Sequence, residues 1–431
     1  MNVALRLGRA HPIWVLVAVL TAAFNLRAGI VIVGPLIDEI RSDTGMSSAL
    51  AGALTTIPFF CLGLFAFLGP PLVRRFGYRM VVLVALLLVA VGSLARAVAP
   101  TGVLMIVTTL PIGLGIALVG VTLPAVVKSQ FPDRGGLVTG AYISFLSIGI
   151  ITVGLGLVPL ADAVGDWRGA FAISAIPPAA AATLWIRCDA FAEGGPAMSA
   201  AGSEVPPSAV APAPAKLRDR IQPDRTALLL GLTCGLQSVA FAGMVSWGPA
   251  HFQEAGWSEH EAAMVLTAIG FYTIVAALTL LPASEGRDRR HWLLGAALAL
   301  SVALLWIALA PTTMSWVWLT IFGLGSGGAF PLLLALVLDL ADRPADAVRL
   351  TSWMLGLGYL IAGLTPVVIG ALRDLTGGLE LPVLLLAGAG FLSAALCLLI
   401  PPPHGGKSAA APVAEDTGGL REAGAARRRL E

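Results

Sequence analysis

Charge is what this chain has least of. Charged residues make up 12% of its 431 positions, about half the share of a soluble domain. The net charge of +2 is too small to point to nucleic acid, and no amphipathic helix gathers the positive side chains. Four cysteines, Cys61, Cys188, Cys234 and Cys397, are widely separated and match no metal or redox spacing, so free thiols are expected. No Asp or Glu lies in the interior of an apolar segment, and no nucleophile with its base sits in one, which excludes membrane-embedded enzyme chemistry. Nor is there an ATP-binding motif. The cluster Gly323-x-Gly325-x-Gly327-Gly328 follows no strand and sits inside an apolar run, where it serves close helix packing. No cofactor or metal is expected.

What fills the chain is apolar sequence: 57% hydrophobic residues and a mean hydropathy of +0.87. A bilayer core about 30 Å thick needs about 20 apolar residues in a helix. Runs of that length fall at 13–36, 47–69, 78–98, 103–127, 137–160 and 169–187, then at 226–250, 260–282, 291–310, 314–338, 348–371 and 381–401. The expected fold is an all-α membrane protein of twelve transmembrane helices in two six-helix bundles, 1–187 and 226–403. A Pro- and Ala-rich cytoplasmic linker, 188–225, joins them, and a tail, 404–431, reads as disordered. The first apolar segment lacks a small-residue cleavage site and is expected to stay as a span. With both termini in the cytoplasm, 22 of the 27 Lys and Arg residues are cytoplasmic, the orientation the positive-inside rule requires. Arg41, Arg96, Arg168 and Arg373 then fall outside or at the outer edge, and Arg27 falls in the membrane.

Arg27 is the one charge in the stretch from Ala10 to Ile37. At about 1.5 Å per residue it lies roughly 20 Å along its helix, near the bilayer midplane. An arginine there costs at least ~2.5–3.5 kcal/mol on insertion scales, so a function is the default reading. With no embedded carboxylate to neutralise it, it is a seat for an anion. Asn25, Gln237 and Ser238 are candidate hydrogen-bonding groups for that anion, against a role in bridging helices. Tyr142 and Tyr359 lie in mid-span and can donate from their hydroxyls. Phe241, Phe330 and Trp353 are candidate lining residues, against core packing. Conventional proton relay through an embedded carboxylate or histidine is not expected. His251, Glu254, Glu259, His260 and Glu261 read as a solvated outer-loop cluster, and Pro58, Pro124, Pro331 and Pro366 as kinks.

The two halves repeat. A shift of 212 residues places Gly113-x-Gly115-x-Ala117 on Gly325-x-Gly327-x-Ala329, Thr139 on Thr351, and Asp162-x-x-Gly165 on Asp374-x-x-Gly377. Spans one and seven share Gly34-Pro35 and Gly248-Pro249. Seven residues before each pair stand Arg27 and Phe241, so the charge exists once and the central cavity is asymmetric.

Several dispersed runs carry a resemblance: Asn25-Leu26-Arg27, Gly34-Pro35-Leu36, Glu39-Ile40-Arg41, Lys128-x-x-Phe131-Pro132-Asp133, Gly235-Leu236-Gln237-Ser238, Trp247-x-Pro249, Gly327-Gly328-x-Phe330-Pro331-Leu332, Gly358-Tyr359 and Asp374-x-Thr376-Gly377. Through nearly the whole membrane portion they resemble the cyanate/2-nitroimidazole porter family of the major facilitator superfamily. The chain departs from that pattern at Ala28, where members often have proline, and at Ala242. Its loop 71–79 is a degenerate form of the superfamily's gating loop, with Arg74, Arg75 and Gly77 aligned and Arg74 in place of the usual aspartate.

The resemblance implies a monomeric secondary transporter of the inner membrane that moves a cyanate-like or small organic anion by alternating access. Efflux of a neutral nitroaromatic or drug-like compound, against the apolar surface opposite Arg27, stands as the alternative.

Overall fold

A computed structural model of the protein describes residues 12–131, 135–188, 224–341 and 344–402. The linker beyond Cys188, the tail beyond Pro402, residues Pro132, Asp133 and Arg134, and the side chains of Arg74, Pro124 and Lys128 lie outside the described residues.

The helices are α1 (Pro12–Val31), α2 (Ile37–Thr44), α3 (Ser48–Ala97), α4 (Gly102–Gln130), α5 (Gly135–Val164), α6 (Trp167–Ile173), α7 (Ile176–Arg187), α8 (Arg225–Glu254), α9 (Glu259–Ala283), α10 (Arg289–Leu309), α11 (Ser315–Leu340), α12 (Pro344–Thr376) and α13 (Glu380–Leu399). Among the described residues eleven helical stretches are long and apolar enough to cross a membrane, and the shorter apolar helix Ser48–Leu64 falls where the second expected span lies. The second and third form one helix, α3, broken only at Gly77, whose φ of 75° and ψ of 160° suit a residue without a Cβ. The sixth is split into α6 and α7 ahead of Pro177-Pro178. The short α2, lying between the first two crossings, was not visible as an apolar run.

Helix ends follow local chemistry. Side chains of Ser47, Thr101, Asp166, Asp224 and Asp288 accept from backbone N–H groups at the starts of α3, α4, α6, α8 and α10. Ser258 and Glu261 form a capping box on α9. The repeated Asp-x-x-Gly also has a cause. Gly165 and Gly377 are both left-handed, at φ 78° and 77°, and their N–H groups donate to Ala161 and Arg373 carbonyls at 2.8 and 2.9 Å, ending α5 and α12.

The halves meet at one end and part at the other. A single apolar core joins Ile30–Ile40, Leu54, Phe59, Trp167 and Phe171 to Val245, Trp247, Phe252, Ile269, Phe322 and Ile369, residues of both halves. Toward the end where α1 begins there are two separate cores. One is built within residues 15–188 around Leu123 and Trp185, the other within 227–400 around Leu332 and Met354.

Candidate functional site

The closed end is held by backbone contact and by charge. A Cβ on Gly34, just beyond α1, would stand 2.7 Å from the Val245 carbonyl of α8, and one on Gly52 of α3 would run into the Pro366 carbonyl of α12. Trp247 Nε1 donates to that same Pro366 carbonyl at 2.9 Å. Arg373 donates to Asp38 at 2.6 and 3.1 Å and to Glu254 at 2.8 Å. Asp374 accepts from the Ser48 and Ala49 N–H groups, both at 3.0 Å, so a carboxylate of one half caps a helix N-terminus of the other. Its repeat counterpart has no such role. Asp162 lines a cavity of about 290 Å³ with Glu39, Asp166 and Glu259, and α9 there is already capped by its own Ser258.

Above the point where the halves part sits Arg27. It is half-buried, and its Cζ lies 4.9 Å from the centroid of the Phe241 ring on α8. A cation over a ring gains ~0.5–2 kcal/mol, but the ring accepts none of the five guanidinium N–H donors in the way an oxygen would. Among the described residues no carboxylate pairs with Arg27. Tyr359 on α12 lies within electrostatic reach of it, and Tyr142 on α5 within reach of Tyr359. Arg27 of α1, Phe241 of α8 and Tyr359 of α12 therefore lie together, with Tyr142 of α5 beyond Tyr359.

The other candidates divide. Gln237, one turn before Phe241, is buried with neither end of its amide partnered. Asn25 instead donates to the Thr21 carbonyl of its own helix at 2.7 Å, and Ser238 is engaged with the Cys234 thiol. Phe330 and Trp353 pack beside the second half's separate core, away from the shared one that Phe241 and Tyr359 border. Arg75 is exposed, with its guanidinium 5.3 Å from the Phe76 ring.

One sequence expectation needs correction. The outer-loop cluster is not one solvated group: His251 is buried against the Ile307 carbonyl at 3.1 Å, Glu254 pairs with Arg373, and Glu261 caps α9. Arg96 lies in the last turn of α3. It is 2% exposed, bonded to Thr109 at 3.0 Å, because the end of α3 is walled in by α4 and by Phe171 of α6. The roles of Asp38, Glu254 and Arg373 were missed altogether, although the motif runs around Glu39-Ile40-Arg41 and Asp374-x-Thr376-Gly377 border them.

Two repeated six-helix halves that meet at one end and part at the other, with Arg27 between them, define a secondary transporter. The profile of the Major Facilitator Superfamily matches residues 19–363. The chain belongs to that superfamily and, within it, to the cyanate/2-nitroimidazole porter family.

It is 31% identical over 363 residues to the cyanate transport protein CynX of Escherichia coli (strain K12), covering 84% of this chain and 90% of the relative. It is 27% identical over 388 residues to the 2-nitroimidazole transporter of the same organism, covering 89% and 94%. A crystal structure of a D-xylose-proton symporter superposes with a TM-score of 0.68 at 15% identity, covering 92% of this chain and 99% of that one, a likeness of fold.

Proposed function

We propose that this transporter carries a small anion, cyanate-like or small organic, with Arg27 as its anchor. The observation that carries the reading is Arg27 itself: mid-membrane, half-buried, set over Phe241, with no carboxylate paired to it among the described residues. A planar guanidinium keeps its charge and grips an anion through two parallel hydrogen bonds, which a lysine cannot do. Tyr359, Tyr142 and Gln237 complete the site, and the CynX relative supports an anion of cyanate type.

In this reading the halves 1–187 and 226–403 rock about the site, joined by the linker 188–225, with Arg74, Arg75 and Gly77 in the cytoplasmic gating loop. Both termini lie in the cytoplasm, the protein works as a monomer in the inner membrane, and the state described is open to the cytoplasm. Proton coupling does not run through an embedded carboxylate, because the spans around Arg27 supply none.

The aromatic face of Phe241 and the 2-nitroimidazole relative favour a second reading, efflux of a neutral nitroaromatic. Uptake of labelled cyanate into proteoliposomes tests the first. Saturable flux in wild type that vanishes in Arg27→Gln is expected. Equal flux in both would reduce Arg27 to a structural role. Resistance to nitroaromatics in expressing cells, without cyanate flux, would favour the second.

A further inference from the structure

Gln237 is 5% exposed, and both its Nε2 and its Oε1 lack a hydrogen-bond partner. Burying an amide unpaired is costly, and folded proteins rarely do it without a reason. Several buried hydroxyls of the spans are satisfied on their own helices, Thr109 by the Met105 carbonyl at 2.8 Å, Thr122 by Leu118 at 2.7 Å and Ser301 by Ala297 at 2.6 Å, while those of Thr233, Ser246 and Thr267 each leave a single oxygen unpaired. Among the described residues Gln237 alone is bare at both ends of its side chain.

Its place in the fold says what the bare ends face. Gly34, in the 3-10 turn just beyond α1, abuts the Val245 carbonyl of α8. The two helices run the same way, and Arg27 stands seven residues before Gly34 as Ser238, the neighbour of Gln237, stands seven before Val245. Gln237 also lies one turn before Phe241 on the same helical face, and the Phe241 ring is the one set against Arg27. The orphaned amide and the guanidinium therefore border the same space.

Their chemistries differ. Arg27 only donates, whereas Gln237 both donates and accepts. A bare anion with acceptor atoms alone would satisfy Arg27 and Nε2 and leave Oε1 unpaired.

We propose that Gln237 is a specificity-determining residue that selects flat substrates carrying an N–H or O–H donor beside the anionic group that Arg27 holds. The proposal rests on Arg27 being the anion anchor. It adds that the preferred substrate is a donor-bearing planar anion rather than a bare one.

Pyrrole-2-carboxylate and furan-2-carboxylate are suitable probes, since they share charge and outline and differ in the ring N–H. Equilibrium binding of each to the purified full-length protein is compared in wild type, Gln237→Met and Arg27→Gln. Wild type is expected to prefer the pyrrole by roughly ten- to a hundredfold, the effect of leaving a buried acceptor unpaired. Gln237→Met is expected to bind both alike. It removes two unpaired polar atoms, so its melting temperature should stay at or above that of wild type. Arg27→Gln should lose both ligands.

Equal binding of the two by wild type, or a preference that survives in Gln237→Met, overturns the proposal and leaves the anchor standing. So does failure to bind either while cyanate flux still depends on Arg27. Binding that ignores Arg27→Gln sinks the anchor itself.

Discussion

Asp38 and Arg373 tie the two halves together at the closed end, and each keeps a second partner in its own half. Asp38 also accepts from Arg41 at 2.8 Å, and Arg373 also donates to Glu254 at 2.8 Å. Opening that end would separate the pair that crosses the halves without stranding either charge. The bridge can bias the equilibrium between states yet cannot lock it, since a lock would need to leave an unpaired charge in the open state.

Asp38→Asn is therefore expected to favour the state open at that end. The pair is partly exposed, with a third of the Asp38 side chain accessible, so the bias is about 1 kcal/mol, or roughly fivefold in population. Spin labels at Ser42→Cys and Leu375→Cys, both exposed positions, would report it as growth of a longer-distance population. An unchanged distance distribution would mean that the apolar seam alone sets the equilibrium.

That seam makes its own prediction. Gly52 faces the Pro366 carbonyl so closely that a Cβ has nowhere to go, and backbone cannot yield as a side chain can. Gly52→Ala should hold the closed end apart, moving the same label pair outward and lowering transport on the order of tenfold. Gly156→Ala is the control, because nothing stands within 4 Å of its added methyl. If both variants transport equally, closure at this end is not as tight as the contact implies.

Phe241 sets the guanidinium in place. Phe241→Leu keeps most of the apolar volume but loses the ring face, worth ~0.5–2 kcal/mol. The expected result is a KM for the transported substrate raised a few- to thirtyfold, roughly, with Phe241→Tyr near wild type. A fall in the maximal rate at unchanged KM would place the ring in the conformational step instead.

Much of this molecule is legible in its sequence because the bilayer imposes one requirement, apolar length, that composition displays directly. The helical spans follow from it, and so does the expectation that Arg27 lies within one. The repeated Asp-x-x-Gly was visible as a pattern but not as a mechanism. Gly165 and Gly377 stop their helices by local backbone chemistry, while Asp374 caps α3 across 326 positions of sequence, and no local rule finds a partner that far away. The same holds for Arg373 with Asp38. Asn25 shows the local counterpart: its amide nitrogen donates to the carbonyl four residues back on its own helix.

Arg96 supplies the last prediction, and it runs against intuition. The residue is 2% exposed, its Nη2 donates to Thr109, its Cζ lies 5.8 Å from the Phe171 ring, and its Nε is unpaired. A buried charge with so incomplete a shell repays little of its desolvation, and well-packed apolar replacements of such groups are often neutral or stabilising by ~1–4 kcal/mol. Arg96→Met should hold or raise the melting temperature of the purified protein. Thr109→Val should lower it, because it keeps the charge and removes an oxygen that serves it, at about 1–3 kcal/mol. Should Arg96→Met prove the more damaging of the two, the guanidinium must be making an interaction in the opposite transport state that this one lacks. Labels at the closed end would then show Arg96→Met and wild type differing in their populations as well as in their stability.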